Sequence, residues 1–92
     1  MNSYVVKSGG LHESEIFDPL KLHGSLMAAC LAVRSLEGEA HMVAQKITEK
    51  VIDWLDSKTE VTSNDVRRIA ANNLQTYQPE AAYIYETYKD IL

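Results

Sequence analysis

Four separate segments of the chain carry apolar side chains at helical spacing, and short polar links join these segments. The longest stripe covers residues 40–55, where apolar residues lie three and four positions apart, as in an amphipathic helix. Pro19 and Pro79 each stand where a helix can begin, because proline is tolerated at the first helical position. The pattern predicts helices over about 19–34, 37–56, 64–77 and 79–91.

The residues before the first helix predict a β-hairpin. Residues 4–7 are β-branched or aromatic apart from a lysine, Gly9-Gly10 supplies a turn, and residues 13–17 form the returning strand. Two isolated strands are only marginally stable in water, so we expect this hairpin, over about 4–17, to pack on the helices. The predicted fold is α+β and mainly α: an N-terminal β-hairpin packed on a compact four-helix bundle, forming a single domain over residues 1–92.

The charge balance disfavours a nucleic acid partner. Nine lysines and arginines face thirteen acidic residues, which gives a net charge of −4 with no basic block. Domains that bind nucleic acid usually carry a basic surface. No apolar stretch is long enough to span a bilayer, and the first residues lack the apolar core of a signal peptide. We therefore expect no membrane partner, and the single cysteine, Cys30, suits a reducing, cytoplasmic location.

The residue types that bind metals or carry out catalysis form no recognisable pattern. Cys30 is the one cysteine and lies in an apolar run, so we expect it to act as a small buried hydrophobe. His12, His23 and His41 do not have the spacing of zinc ligands, and no structural metal is predicted. Neither a phosphate-binding loop nor a nucleophile elbow occurs, so we predict that the chain is not an enzyme.

Several short motifs occur in an order that is typical of one family. They are Val5-Val6-Lys7-Ser8-Gly9-Gly10, then Glu15-Ile16-Phe17-Asp18-Pro19-Leu20-Lys21-Leu22-His23-Gly24-Ser25-Leu26, then Val61-Thr62-Ser63-Asn64-Asp65-Val66, and finally Ala82-Tyr83-Ile84-Tyr85-Glu86-Thr87-Tyr88. Together they resemble the ATP-cone domain, and the resemblance covers roughly residues 4–90. That family is found at the N-terminus of ribonucleotide reductase large subunits and in a transcriptional repressor of their genes.

The resemblance implies a regulatory module that binds an adenine nucleotide, ATP or dATP, with or without Mg²⁺. In the family the bound nucleotide controls oligomerisation. The expected partners are therefore the nucleotide and either a second copy of the chain or another protein. Such a module transmits a signal when its ligand has different affinities for two states of the protein.

The family's binding positions can be carried over to this chain. By that resemblance, Val5 and Leu22 would flank the adenine. Glu15 or Asp18 would accept hydrogen bonds from the base or the sugar, and Ser63 would provide a polar contact from the opposite wall.

The phosphates of a nucleotide require cations and hydrogen-bond donors. Lys7 and Lys21 are the expected cations, and the start of the first helix offers amide groups and the positive end of its dipole. Ser8 stands where the family has an arginine, and Arg67 or Lys89 could replace the missing charge.

A second hypothesis explains the same residues without a ligand. In it the chain is a degenerate ATP-cone fold that acts as a protein-interaction domain, and Ser8 supports this alternative. The two lysines would then be solvated surface charges, and Val5 and Leu22 would be core residues. Asp18 and Ser63 would serve only as N-caps of the first and third helices.

Overall fold

The computed structural model describes residues 5–8, 13–58 and 60–87, with side chains from residue 16 onwards. In this part of the chain there are four helices: α1 (Pro19–Ala32), α2 (Glu37–Asp56), α3 (Ser63–Tyr77) and α4 (Pro79–Thr87). Helix α1 packs against α2 and α4, and α3 packs against the same two helices, so α1 and α3 lie diagonally across the bundle.

The predicted fold class, α+β with an N-terminal hairpin packed on the bundle, is wrong. From residue 17 to residue 87 the described chain contains helices and no strand, and all the buried core side chains that the structure describes lie in this range. The backbone of β1 (Val5–Ser8) pairs antiparallel with that of β2 (Glu13–Ile16), but Ile16 is 69% exposed. The fold supported by the described residues is therefore a mainly α helical bundle.

The first and third helices are held at their starts by side-chain caps. The Asp18 carboxylate accepts a hydrogen bond from the Leu20 amide at 3.0 Å, with Pro19 in the first turn. The N-cap of α3 is Thr62, not the predicted Ser63: the Thr62 hydroxyl accepts from the Asp65 amide at 3.1 Å, and the Asp65 carboxylate accepts from the Thr62 amide at 3.0 Å. This reciprocal capping box requires an acidic or amide side chain three residues after the cap, which Thr62 has and Ser63 lacks.

Helix α1 ends two residues before its predicted boundary, in a Schellman motif. The amide of Ser35 donates to the carbonyl of Cys30 at 3.1 Å, and the amide of Arg34 donates to the carbonyl of Leu31 at 3.0 Å. Arg34 has a φ of 64°, the left-handed conformation that this motif requires and that glycine usually provides. The turn therefore places an L-residue in a conformation that its Cβ disfavours.

Replacing Arg34 by glycine is expected to raise the free energy of unfolding by about 0.5–1 kcal/mol, because glycine adopts positive φ without a steric penalty. The change should appear as a higher midpoint in a thermal melt followed by circular dichroism. Arg34→Ala is the matched control, since it removes the same charge and keeps the Cβ atom. Equal effects of the two substitutions would show that the charge, and not the backbone conformation, is responsible.

The core is one cluster that all four helices line. Its largest fully buried side chains include Tyr85, Leu26, Ile47 and Leu74. Cys30 is also fully buried, which confirms that it acts as a small hydrophobe, and burial raises the pKa of its thiol. Among the described residues, no helix has the length and apolar character needed to cross a membrane.

A polar contact joins the two halves of the bundle at one end. The Gln78 side-chain amide, between α3 and α4, donates to the Ser35 hydroxyl at 3.0 Å and to the Glu39 carboxylate at 3.3 Å. Ser35 lies in the link between α1 and α2, and Glu39 lies in the first turn of α2. The α1–α2 link and the α3–α4 junction therefore lie at the same end of the molecule.

Candidate functional site

The start of α1 is where the sequence places most of the nucleotide-binding residues whose side chains the structure describes. Pro19 has no amide hydrogen, and the amide of Leu20 already donates to the Asp18 carboxylate. These two positions therefore offer no free donor to a phosphate. Asp18 also places a negative charge at the positive end of the helix dipole, where a phosphate would otherwise be favoured.

The residues next to this cap differ sharply in exposure. Lys21 is exposed and can reach a ligand in solution, whereas Leu22 is only 7% exposed and belongs to the core. Leu22 can therefore contact an adenine ring only if the core opens. Two large apolar side chains in the same segment are exposed instead, Ile16 at 69% and Leu20 at 82%. The apolar side chains available to a ligand near Lys21 are thus these two.

The start of α3 is a structural cap. Ser63 is half-buried in the first turn, beside the capping box that Thr62 and Asp65 form. The backbone hydrogen bond from Thr62, followed by the bond from Arg68, holds the pKa of the Asp65 carboxyl below its usual range. The carboxylate therefore stays charged, and it places a negative charge at the start of α3, where an anion would otherwise be favoured.

Arg67 is not available as a free phosphate ligand in this structure. Its guanidinium donates to the Tyr85 carbonyl at 2.8 Å, and its central carbon lies 4.7 Å from the centre of the Tyr85 ring. Burial raises the pKa of the Tyr85 hydroxyl, and the charge of Arg67 opposes that rise. Arg67 thus links α3 to α4, and a role in phosphate binding would require these contacts to break.

The predicted site residues are therefore shared between the starts of two helices that pack mainly on α2 and α4. Asp18 and Lys21 lie at the start of α1, while Ser63 and Arg67 lie at the start of α3, diagonally across the bundle. The side chains of four further predicted site residues lie outside the described part of the chain: Val5, Lys7, Ser8 and Glu15. Lys89 also lies outside it.

Sequence analysis did not identify a groove between the end of α1 and the start of α4. Val33, Pro79, Glu80, Tyr83 and Ile84 line an open depression of about 400 Å³. Tyr83 is 65% exposed, so its ring is a large apolar surface beside the groove. The sequence does contain a signal for this groove: Tyr83 follows Pro79 by four residues, and residues at this spacing share one face of a helix.

The chain shows no match to known proteins in two comparisons. No protein-family model matches the sequence, and no curated protein is significantly similar to it. Among the side chains that the structure describes, no group of three or more histidines, cysteines, aspartates or glutamates is placed to hold a metal ion.

Proposed function

We propose that this chain is a regulatory domain that binds an adenine nucleotide, ATP or dATP, and passes that signal to a protein partner or a second copy of itself. The proposal includes no hydrolysis and places the domain in the cytoplasm. It rests on the order of the motifs, which resembles the ATP-cone family along most of the chain. The observation in the structure that supports it most is the exposure of Lys21 together with Ile16 and Leu20 at the start of α1.

The side chain of Lys21 suits the phosphates of a nucleotide, and the aliphatic side chains of Ile16 and Leu20 suit its base. A lysine ammonium attracts a polyphosphate as a point charge, and exposed aliphatic side chains can cover one face of a purine. Binding would regulate the domain only if the nucleotide had a higher affinity for one of its states, for example an oligomer.

The test is a series of thermal melts with ATP, dATP, ADP and GTP, each with and without Mg²⁺. A ligand at about one hundred times its dissociation constant adds about 2.7 kcal/mol, which raises the midpoint of a domain of this size by more than about 10 °C. Lys21→Ala is expected to weaken binding by about tenfold or more, because a charge-assisted contact is lost. Lys46→Ala is the matched control, since Lys46 is an exposed lysine of α2.

The groove at α4 favours one alternative function, a protein-interaction domain without a nucleotide. It has an apolar floor and an exposed tyrosine, and aromatic side chains are enriched in protein interfaces. The melts separate the two functions. A midpoint that no nucleotide raises at millimolar concentration, or that rises equally in the wild type and Lys21→Ala, would contradict the nucleotide site at α1 and leave the groove as the candidate.

A further inference from the structure

Two histidines from different helices meet at the seam between α1 and α2. The ring centres of His23 and His41 lie 4.8 Å apart, and the ring planes are inclined by 70°. His23 is half-buried and His41 is exposed, so solvent reaches the pair. Seventeen residues separate the two in the sequence, and packing of α1 on α2 brings them together.

This separation is close to that of two imidazoles bound to one metal ion. With zinc–nitrogen distances of about 2.0–2.1 Å and a tetrahedral angle at the metal, the ring centres lie about 5 Å apart. Rotation of the rings is needed to turn one nitrogen of each towards a common ion, and the terminal torsion of histidine rotates easily.

We propose that His23 and His41 bind one Zn²⁺ ion together, as a two-histidine clamp that joins α1 to α2. Each histidine is next to a buried residue of its own helix: Leu22 precedes His23, and Ala40 precedes His41. Their backbones are therefore fixed by the core, and ligands on rigid elements need little reorganisation to bind.

The clamp differs from a structural zinc site because it supplies two protein ligands and leaves the other coordination positions of the ion open. Among the described residues, no third histidine, cysteine, aspartate or glutamate completes a metal-binding group. Structural zinc sites take four protein ligands, whereas sites with fewer leave positions for water or an incoming ligand. The ion is thus expected to bind reversibly and to accept a further ligand.

The test is calorimetric titration of the full chain with zinc chloride, together with thermal melts at increasing zinc concentration. We expect one ion per chain and, at about ten times the dissociation constant, a midpoint higher by roughly 5–10 °C. Magnesium is the ionic control, because imidazole suits zinc and not magnesium. His23→Gln and His41→Gln should each weaken zinc binding by about tenfold or more. Mutating a residue that only hydrogen-bonds to a metal ligand already costs about tenfold in metal affinity, and removing the ligand itself should cost at least as much.

His12→Gln is the matched control variant and should bind zinc as the wild type does. Equal zinc affinity of the wild type and both seam variants would overturn the proposal, as would a stoichiometry of one ion per two chains. Melts without zinc identify any variant that fails to fold. In that case the imidazole proton resonances of the wild type decide: zinc must shift those of both His23 and His41, and unshifted signals overturn the clamp.

Discussion

Leu26→Ala is expected to lower the free energy of unfolding by about 3 kcal/mol and the thermal midpoint by more than about 10 °C. Leu26 is fully buried in α1, and it is one of the largest side chains in the core. Truncation removes its apolar contacts and leaves a cavity that the helices around it can only partly fill. Urea denaturation followed by circular dichroism measures the loss directly.

Leu31→Ala is the matched control, because it makes the same chemical change in the same helix. Leu31 is 45% exposed, so its truncation should cost less than about 1 kcal/mol. Similar losses for the two variants would contradict the burial pattern of α1, and with it the face that this helix turns towards the core.

Arg67→Met is expected to cost about 2 kcal/mol of stability, although it keeps an unbranched side chain with an apolar stem. The substitution removes the hydrogen bond to the Tyr85 carbonyl and the charge above the Tyr85 ring. A hydrogen bond from a charged group to a partly buried carbonyl contributes about 1.5–3 kcal/mol, and a cation above an aromatic ring adds to it. Urea denaturation is again the measurement.

The neighbouring arginine supplies the control. Arg68 is exposed and pairs with Asp65 at the surface at 3.2 Å, and such pairs contribute little, so Arg68→Met should stay close to the wild type. An Arg67→Met variant with unchanged stability and lost nucleotide binding would contradict the structural role of Arg67. It would support instead the phosphate contact suggested by the sequence.

Helical spacing was a reliable guide wherever one face of a helix meets the core. The predicted range 37–56 and the observed helix α2 (Glu37–Asp56) coincide, because the stripe of apolar residues continues to both ends. The end of α1 was misplaced because a left-handed arginine closes it, and only glycine or asparagine usually signals such an end.

The predicted fold class, with a hairpin packed on the bundle, is wrong because strand propensity carries no information about burial. β-Branched residues favour extended backbone, but whether their side chains pack depends on what lies against them. Among the described residues, the four helices supply most of the buried side chains, with Phe17 and Val61 just before α1 and α3, and Ile16 at the end of β2 is exposed.

The candidate site was harder to predict than the fold. The sequence predicts Lys21 either as a phosphate-binding cation or as a solvated surface charge, and its exposure in the structure fits both. The second hypothesis from the sequence places Leu22 in the core, and its 7% exposure agrees with that. The engagement of Arg67 by Tyr85 could not be predicted, since it depends on packing between helices. The contact between His23 and His41 was hidden for the same reason, because their spacing fits no short metal-binding motif.

The contact of Gln78 with Ser35 and Glu39 bears on the order of folding. Helices α1 and α2 pack together across a short link, as do α3 and α4, so each pair can form from residues close in the sequence. Gln78 joins segments 43 and 39 residues apart, and loop closure makes such contacts late. We therefore expect these hydrogen bonds to form after the folding transition state, so that losing them would speed unfolding and leave the folding rate almost unchanged.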